Sequence, residues 1–142
     1  LENGLRHGHT GPTKLAIAQF SYVVLWHMRG GYPLPAGTIE RLYGAALENP
    51  RMTMQARASI HAALRAYHVE VLKQPEHGLL HGYKSLRHWP QRWHYHKKLI
   101  ELLISMNRHE EAARALEKAR SLGVHRTDPE AAERLAQLLR QG

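Results

Sequence analysis

The chain contains no cysteine. Disulfides, thiolate metal sites, iron–sulfur clusters and cysteine nucleophiles are therefore excluded. Acidic residues are scarce, 12 against 20 Lys and Arg, for a formal net charge of +8. Glu70 and Glu76 are the only carboxylates between Glu48 and Glu101, so the paired acids of glycoside hydrolysis have no local signal. Long apolar runs are missing too. The longest mostly apolar stretch, Leu15 to Met28, contains Gln19 and Ser21 and is shorter than the roughly 20 residues of a membrane-spanning helix. No alternating apolar–polar pattern bounded by hairpin signals suggests a strand. Without a strand, the Gly30-Gly31 pair reads as a helix stop and not as a phosphate-binding loop. Ser59 and Ser85 have histidines nearby in sequence but no nucleophile-elbow context. The expectation is a non-enzymatic chain with no cofactor and no native metal.

What is present is ordinary globular material: 142 residues, 43% hydrophobic and 23% charged. Because the chain begins at Leu1 and not at Met, it is expected to be part of a longer protein. Its basic charge is uneven. Residues 1–98 hold 13 Lys and Arg with 5 acids, whereas residues 99–142 hold 7 of each. A field of this kind suits acidic partners: a protein segment or acidic peptide first, an anionic lipid or glycan second, nucleic acid third. Histidine is abundant at 12 residues and would add positive charge as the pH falls towards 6.

Residues 1–9 are glycine- and histidine-rich without a period and are expected to be a flexible lead-in; residues 10–142 form one helical domain. Apolar residues at helical spacing predict seven helices, over about 12–29, 35–48, 53–73, 75–88, 91–106, 110–122 and 128–140. Thr53 is the expected N-cap of the third helix and Gly123 the expected C-cap of the sixth. Thr127 with Glu130 spells a capping box before the last helix, with Asp128 as a rival cap ahead of Pro129. Gly78 and Gly82 stand one turn apart inside a predicted helix, which calls for close approach of a neighbouring backbone.

The chain also repeats itself. Gly78, Ser85 and Pro90 precede Ala112, Ala119 and Val124 by 34 residues each, and Ala66 and Val69 precede Ile100 and Leu103 by the same interval. A helical pair of this length cannot bury its own apolar face, so copies stack. Leu99, Leu103, Asn107, His109, Ala112, Leu116 and Ala119 follow a pattern that resembles a tetratricopeptide repeat. Ile100 and Val124 depart from it, where a small residue and a closing proline are usual. The preceding copy keeps Ala66 and Pro90 but has Gly78 and Ser85 at alanine-like positions, and a degenerate earlier copy holds Thr38, Leu42, Ala45 and Pro50. The resemblance implies an all-α, tetratricopeptide-like solenoid of two to three helix–turn–helix units closed by a C-terminal capping helix. More faintly, the Asn49-Pro50-Arg51 turn and the Ala115-Leu116-Glu117-Lys118 helix are similar to soluble C-terminal repeat domains of bacterial multi-spanning envelope proteins, some of them in glycan assembly. That similarity implies a periplasmic location and a regulatory role beside an envelope enzyme, with a cytoplasmic location as the other option.

Two sets of residues are candidates for binding. In tetratricopeptide-like arrays the first helix of each unit lines the groove, which singles out Arg57, His61, Arg65, His68, His94 and Lys98, with arginines suited to carboxylates. The acid-free stretch from His77 to Lys98 interleaves Lys84, Arg87, Arg92 and Lys97 with Trp89 and Trp93, a mixture that can stack and pair with single-stranded nucleic acid. His77 and His81, four apart on one helix face, are the most plausible start of a metal site, but they lack the glutamate order of a zinc protease helix.

Overall fold

Apolar residues recurring at helical spacing become six α-helices, with no strand, among the residues that the structure, a computed structural model, describes: 37–141. They are α1 (Thr38–Leu47), α2 (Met54–Ala66), α3 (Pro75–His88), α4 (Trp93–Ser105), α5 (His109–Ser121) and α6 (Pro129–Gln141). The lead-in and the helix expected over 12–29 lie outside the described residues.

Local chemistry sets most of the boundaries. The Ala56 N–H donates to Thr53 Oγ1 at 3.1 Å, the expected N-cap of α2. Pro75 takes the first position of α3, where a missing N–H costs nothing. Before α6 the two rival caps are resolved in favour of Asp128, whose Oδ1 accepts the Ala131 N–H at 3.1 Å. Gly123 closes α5 in the left-handed region at φ 75°, followed by a short 3₁₀ turn, Val124–Thr127. Asn107 closes α4 in the same region at φ 60°, and the Arg108 N–H returns to the Leu103 carbonyl at 2.9 Å, a Schellman turn.

The third predicted helix departs from expectation in its last third. Regular α-helix stops at Ala66, and Tyr67–Val71 continue as a π-helix, with the Leu72 N–H reaching the Tyr67 carbonyl five residues back. Lys73 then turns out at φ 54°, and the Gln74 N–H closes on the His68 carbonyl at 2.7 Å. Side-chain periodicity is insensitive to a one-residue widening of this kind, so the sequence reads as plain helix there.

The helices pack mainly on their neighbours in sequence, α2 with α3 and α4 with α5, and α6 lies against α5 and α4. The apolar core divides in two. Ile39, Tyr43, Met52, Ile60, Leu64 and Tyr67 fill the space between α1 and α2. Leu99, Ile100, Leu103, Leu116, Val124 and Leu135 centre a larger cluster shared by α4, α5 and α6, which Leu79 of α3 joins. Neither cluster fills the seam between α2 and α3. There Gly78 sits against α2 so closely that a Cβ would overlap Val69 Cγ2 and lie 3.2 Å from the Arg65 carbonyl oxygen. The close approach expected of these glycines is met at Gly78, while a Cβ at Gly82 would only touch Leu99 Cδ1 at 3.4 Å.

This geometry predicts opposite outcomes for two glycine-to-alanine changes. Gly78→Ala overpacks the seam and should cost about 1–3 kcal/mol. Gly44 lies within α1 with nothing within 4 Å of its would-be Cβ, so Gly44→Ala should add about 0.5–1 kcal/mol by helix propensity alone. Urea denaturation of the two variants beside the parent measures both; equal stability of all three would show that α3 can move away from α2 freely.

Candidate functional site

Imidazoles line the seam that Gly78 narrows, with His77 at its exposed end. His61 comes from α2, His68 from the π turn, and His77, His81 and His88 from α3. Their rings form one series in the order His88, His61, His81, His68, His77, with successive centroids 5.5, 5.2, 5.2 and 5.5 Å apart and interplanar angles of 14–26°. At its centre His61 Nδ1 and His81 Nδ1 are 3.0 Å apart. That gap is more than two ångströms shorter than the centroid separation, so these two rings meet edge to edge through nitrogen. One Nδ1 must carry a proton and the other must offer a lone pair. His68 Nδ1 has its own partner, Gln74 Oε1 at 3.2 Å, which fixes it as a donor.

The centre of this row is held neutral. Burial first, then the positive charges of His88, Lys84 and Arg57, push His61 down to about 4. Burial, then His61, His68, Lys84 and His77, push His81 down to about 3. His88 is also lowered, by burial and then by Arg57 and Arg87. No carboxylate is among the groups acting on these three imidazoles. Among the described residues no three His, Asp or Glu side chains converge in a way that could hold a metal ion.

The groove candidates therefore have separate fates. His61 and His68 are both 7% exposed and belong to the imidazole row. Arg57 is a structural brace: Nη1 donates to the Leu47 carbonyl at 2.6 Å and Nη2 to the Asn49 carbonyl at 2.9 Å, satisfying the end of α1 and the turn beyond it. Arg65 and Lys98 remain together. They line a cleft of about 190 Å³ between the end of α2 with its π turn and α4, shared with Val69, Glu70, Glu101 and Ser105. Arg65 Nη1 is shielded from solvent and has no hydrogen-bond partner among the described residues. Burial lowers the Arg65 guanidinium's affinity for its proton, against the opposing pull of Glu70, Tyr95 and Glu101. Lys98 Nζ lies 3.6 Å from Glu101 Oε1. His94 is exposed nearby and lowered by partial burial, then by the charges of Arg65 and Lys98.

The basic–aromatic stretch is spread over several surfaces. Trp93 is 5% exposed and sits in the α4–α5–α6 core. Trp89 meets Tyr95 edge-on at 6.0 Å, and the Arg92 guanidinium carbon lies 5.0 Å from the Trp89 ring and 4.9 Å from the Tyr95 ring. Lys84 flanks the imidazole row, Arg87 is exposed on α3, and Lys97 is half-exposed on α4. Sequence spacing put His77 and His81 on one helix face and His61 and His68 among the groove candidates; the interdigitation of the two sets depends on how α3 docks on α2.

Compared with known proteins, the chain matches no family model, no curated protein and no solved structure.

The depressed imidazoles make stability pH-dependent with a definite sign. Unfolded, His61 and His81 titrate near 6.5; folded, they bind a proton only at about 4 and about 3. Between those values the unfolded chain holds more protons, so the stabilising effect is complete above pH 6.5 and is lost progressively as the pH falls through that window. Urea denaturation at pH 7.5, 6.5, 5.5 and 4.5 should show this loss. His81→Phe should be less stable than the parent at pH 7.5, because His61 Nδ1 loses its partner, yet decline less steeply on acidification. An identical slope in both proteins would mean that the seam does not carry the acid sensitivity.

Proposed function

We propose that the chain is a non-catalytic protein-binding module of tetratricopeptide-like hairpins, α2 with α3 and α4 with α5, with α6 as the closing helix. Its groove, between α2 and α4, receives a peptide segment. Several pairings at a constant interval support the repeat. Pro75 and His109 open α3 and α5, Lys73 and Asn107 are the two non-glycine residues at positive φ among the described residues, and Val71 and Ser105 end the preceding helical runs; each pair is 34 residues apart. The small residues expected at helix crossings, Gly78 with Ala112 and Ser85 with Ala119, are all buried.

The observation that carries the binding assignment is the solvent-shielded, unpartnered Arg65 Nη1 beside the α2–α4 cleft, with Lys98 across from it. An unpaired buried donor is costly, and a carboxylate or carbonyl delivered by a ligand removes that cost. Glu70 and Glu101 in the same cleft favour a segment with one acidic residue placed to meet Arg65 and Lys98 over a uniformly acidic one. The nucleic-acid alternative draws less support, since Trp93 is buried and Trp89 is engaged by Arg92 and Tyr95.

Fluorescence anisotropy with a labelled library of peptides bearing single acidic residues tests this reading, with labelled single-stranded DNA and RNA as competitors for the assignment. Arg65→Gln and Lys98→Ala should each weaken the best peptide by roughly tenfold, about 1.4 kcal/mol, whereas the pair Lys84→Ala and Lys97→Ala should leave it unchanged. Tighter binding of single strands that disappears with the Lys84 and Lys97 changes would replace the proposal with the nucleic-acid reading.

A further inference from the structure

A second, larger cleft shares no lining residue with the one between α2 and α4. It has a volume of about 460 Å³ and lies among α3, α4 and α5, where the Pro90 turn leads from α3 into α4. That size is within the range of small-molecule sites. Its apolar part is made by Leu86 of α3, Leu99 of α4, Ala115 of α5 and Leu122 just beyond α5. Leu122 is 46% exposed and Tyr83, at the other side of the mouth, is 39% exposed. Large apolar side chains are thus left in contact with water around a concave surface.

The charges around this cleft are unbalanced. Arg87, Arg114 and Lys118 line it, and none of them pairs with a carboxylate among the described residues. The single acidic residue in the lining, Glu111, accepts a hydrogen bond from the Tyr83 hydroxyl at 2.6 Å. Burial first, then that bond and the Glu111 charge, push the Tyr83 hydroxyl up to about 12, so it remains a donor to the carboxylate. His96 is held by the Pro90 carbonyl, 2.7 Å from its Nε2, and burial keeps the ring uncharged near neutrality. Three cations against one carboxylate leave an excess of two positive charges beside an aliphatic floor.

We propose that this cleft is a binding site for a small amphiphilic anion, an aliphatic chain seated over Leu86, Ala115 and Leu122 with its carboxylate or phosphate head held by Arg114, Lys118 and Arg87. The head group explains the unpaired cations, because guanidinium forks pair in two-point fashion with carboxylate and phosphate oxygens. The chain explains the exposed leucine, because burial of each methylene is worth roughly fourfold in affinity. A bare inorganic anion would use only the rim, and an uncharged alkyl compound only the floor. The site is independent of the peptide groove, since it draws on different residues.

Calorimetry and amide chemical-shift mapping on the 142-residue chain, with each ligand below its aggregation concentration, test the assignment. The probes are hexanoate, octanoate, decanoate, octyl phosphate, octanol and octylammonium. Affinity should rise by roughly fourfold per methylene from hexanoate until the cleft is filled. Octanol and octylammonium should bind at least about tenfold more weakly than octanoate. Shifts should centre on residues 83–90, 96–99 and 111–122. The double change Arg114→Ala, Lys118→Ala removes two exposed side chains and should weaken octanoate and octyl phosphate by about tenfold without moving octanol. Tighter binding of octyl phosphate than of octanoate identifies a phosphate head, and the reverse a carboxylate; either order upholds the site. Octylammonium binding as tightly as octanoate, affinity independent of chain length, or shifts centred elsewhere would each overturn it.

Discussion

The approach of α3 to α2 at Gly78 is the constraint on which the rest of the arrangement depends. With no Cβ in the way, the α3 backbone comes within van der Waals contact of Val69 and of the Arg65 carbonyl. Beyond Val69, the two apolar clusters lie on either side of the seam. Flat imidazole rings fit the remaining space, and their nitrogens provide polar atoms that can satisfy one another. The price is that the central rings must be neutral, because a second proton at the Nδ1–Nδ1 contact would place two donors face to face 3.0 Å apart.

The same docking distributes the basic charge. Arg57 is spent on the end of α1, and the Arg65 stem passes over the glycine face of α3, 3.8 Å from the position of a Cβ at Gly82, so that its guanidinium reaches the α2–α4 cleft. Lys84 is placed beside the imidazoles, where it helps to keep them uncharged. Arg87, one turn further along α3, faces α5 with Arg114 and Lys118. Among the described residues these six cations thus serve as a brace, a shielded donor, an electrostatic neighbour and an open rim.

Much of the architecture was legible from local patterns. The capping role of Thr53, the left-handed stop at Gly123 and the six helices within 37–141 follow from side-chain rules that act over a turn or two. The choice of Asp128 over Thr127 was open in the sequence, since either side chain can reach the first free N–H groups of α6, and geometry selected one. The π turn at Tyr67–Val71 was not legible, because it adds no distinctive residue type. The site was read less well than the fold: equal spacing put Arg57, His61, Arg65 and His68 on one list, whereas their partners belong to a chain turn, another helix and a cleft.

By itself the sequence determined helix content, most helix ends and the excess of positive over negative charge, because each depends on residue identity and near-neighbour spacing. Only the tertiary structure decided that five histidines from two segments form one row, that Trp93 is buried while Leu122 is not, and that Arg65 keeps an unpartnered donor. Those outcomes depend on the rotation and depth at which one helix docks on another. Both are fixed by contacts between side chains far apart in the chain, where a single missing Cβ shifts what every neighbouring residue meets.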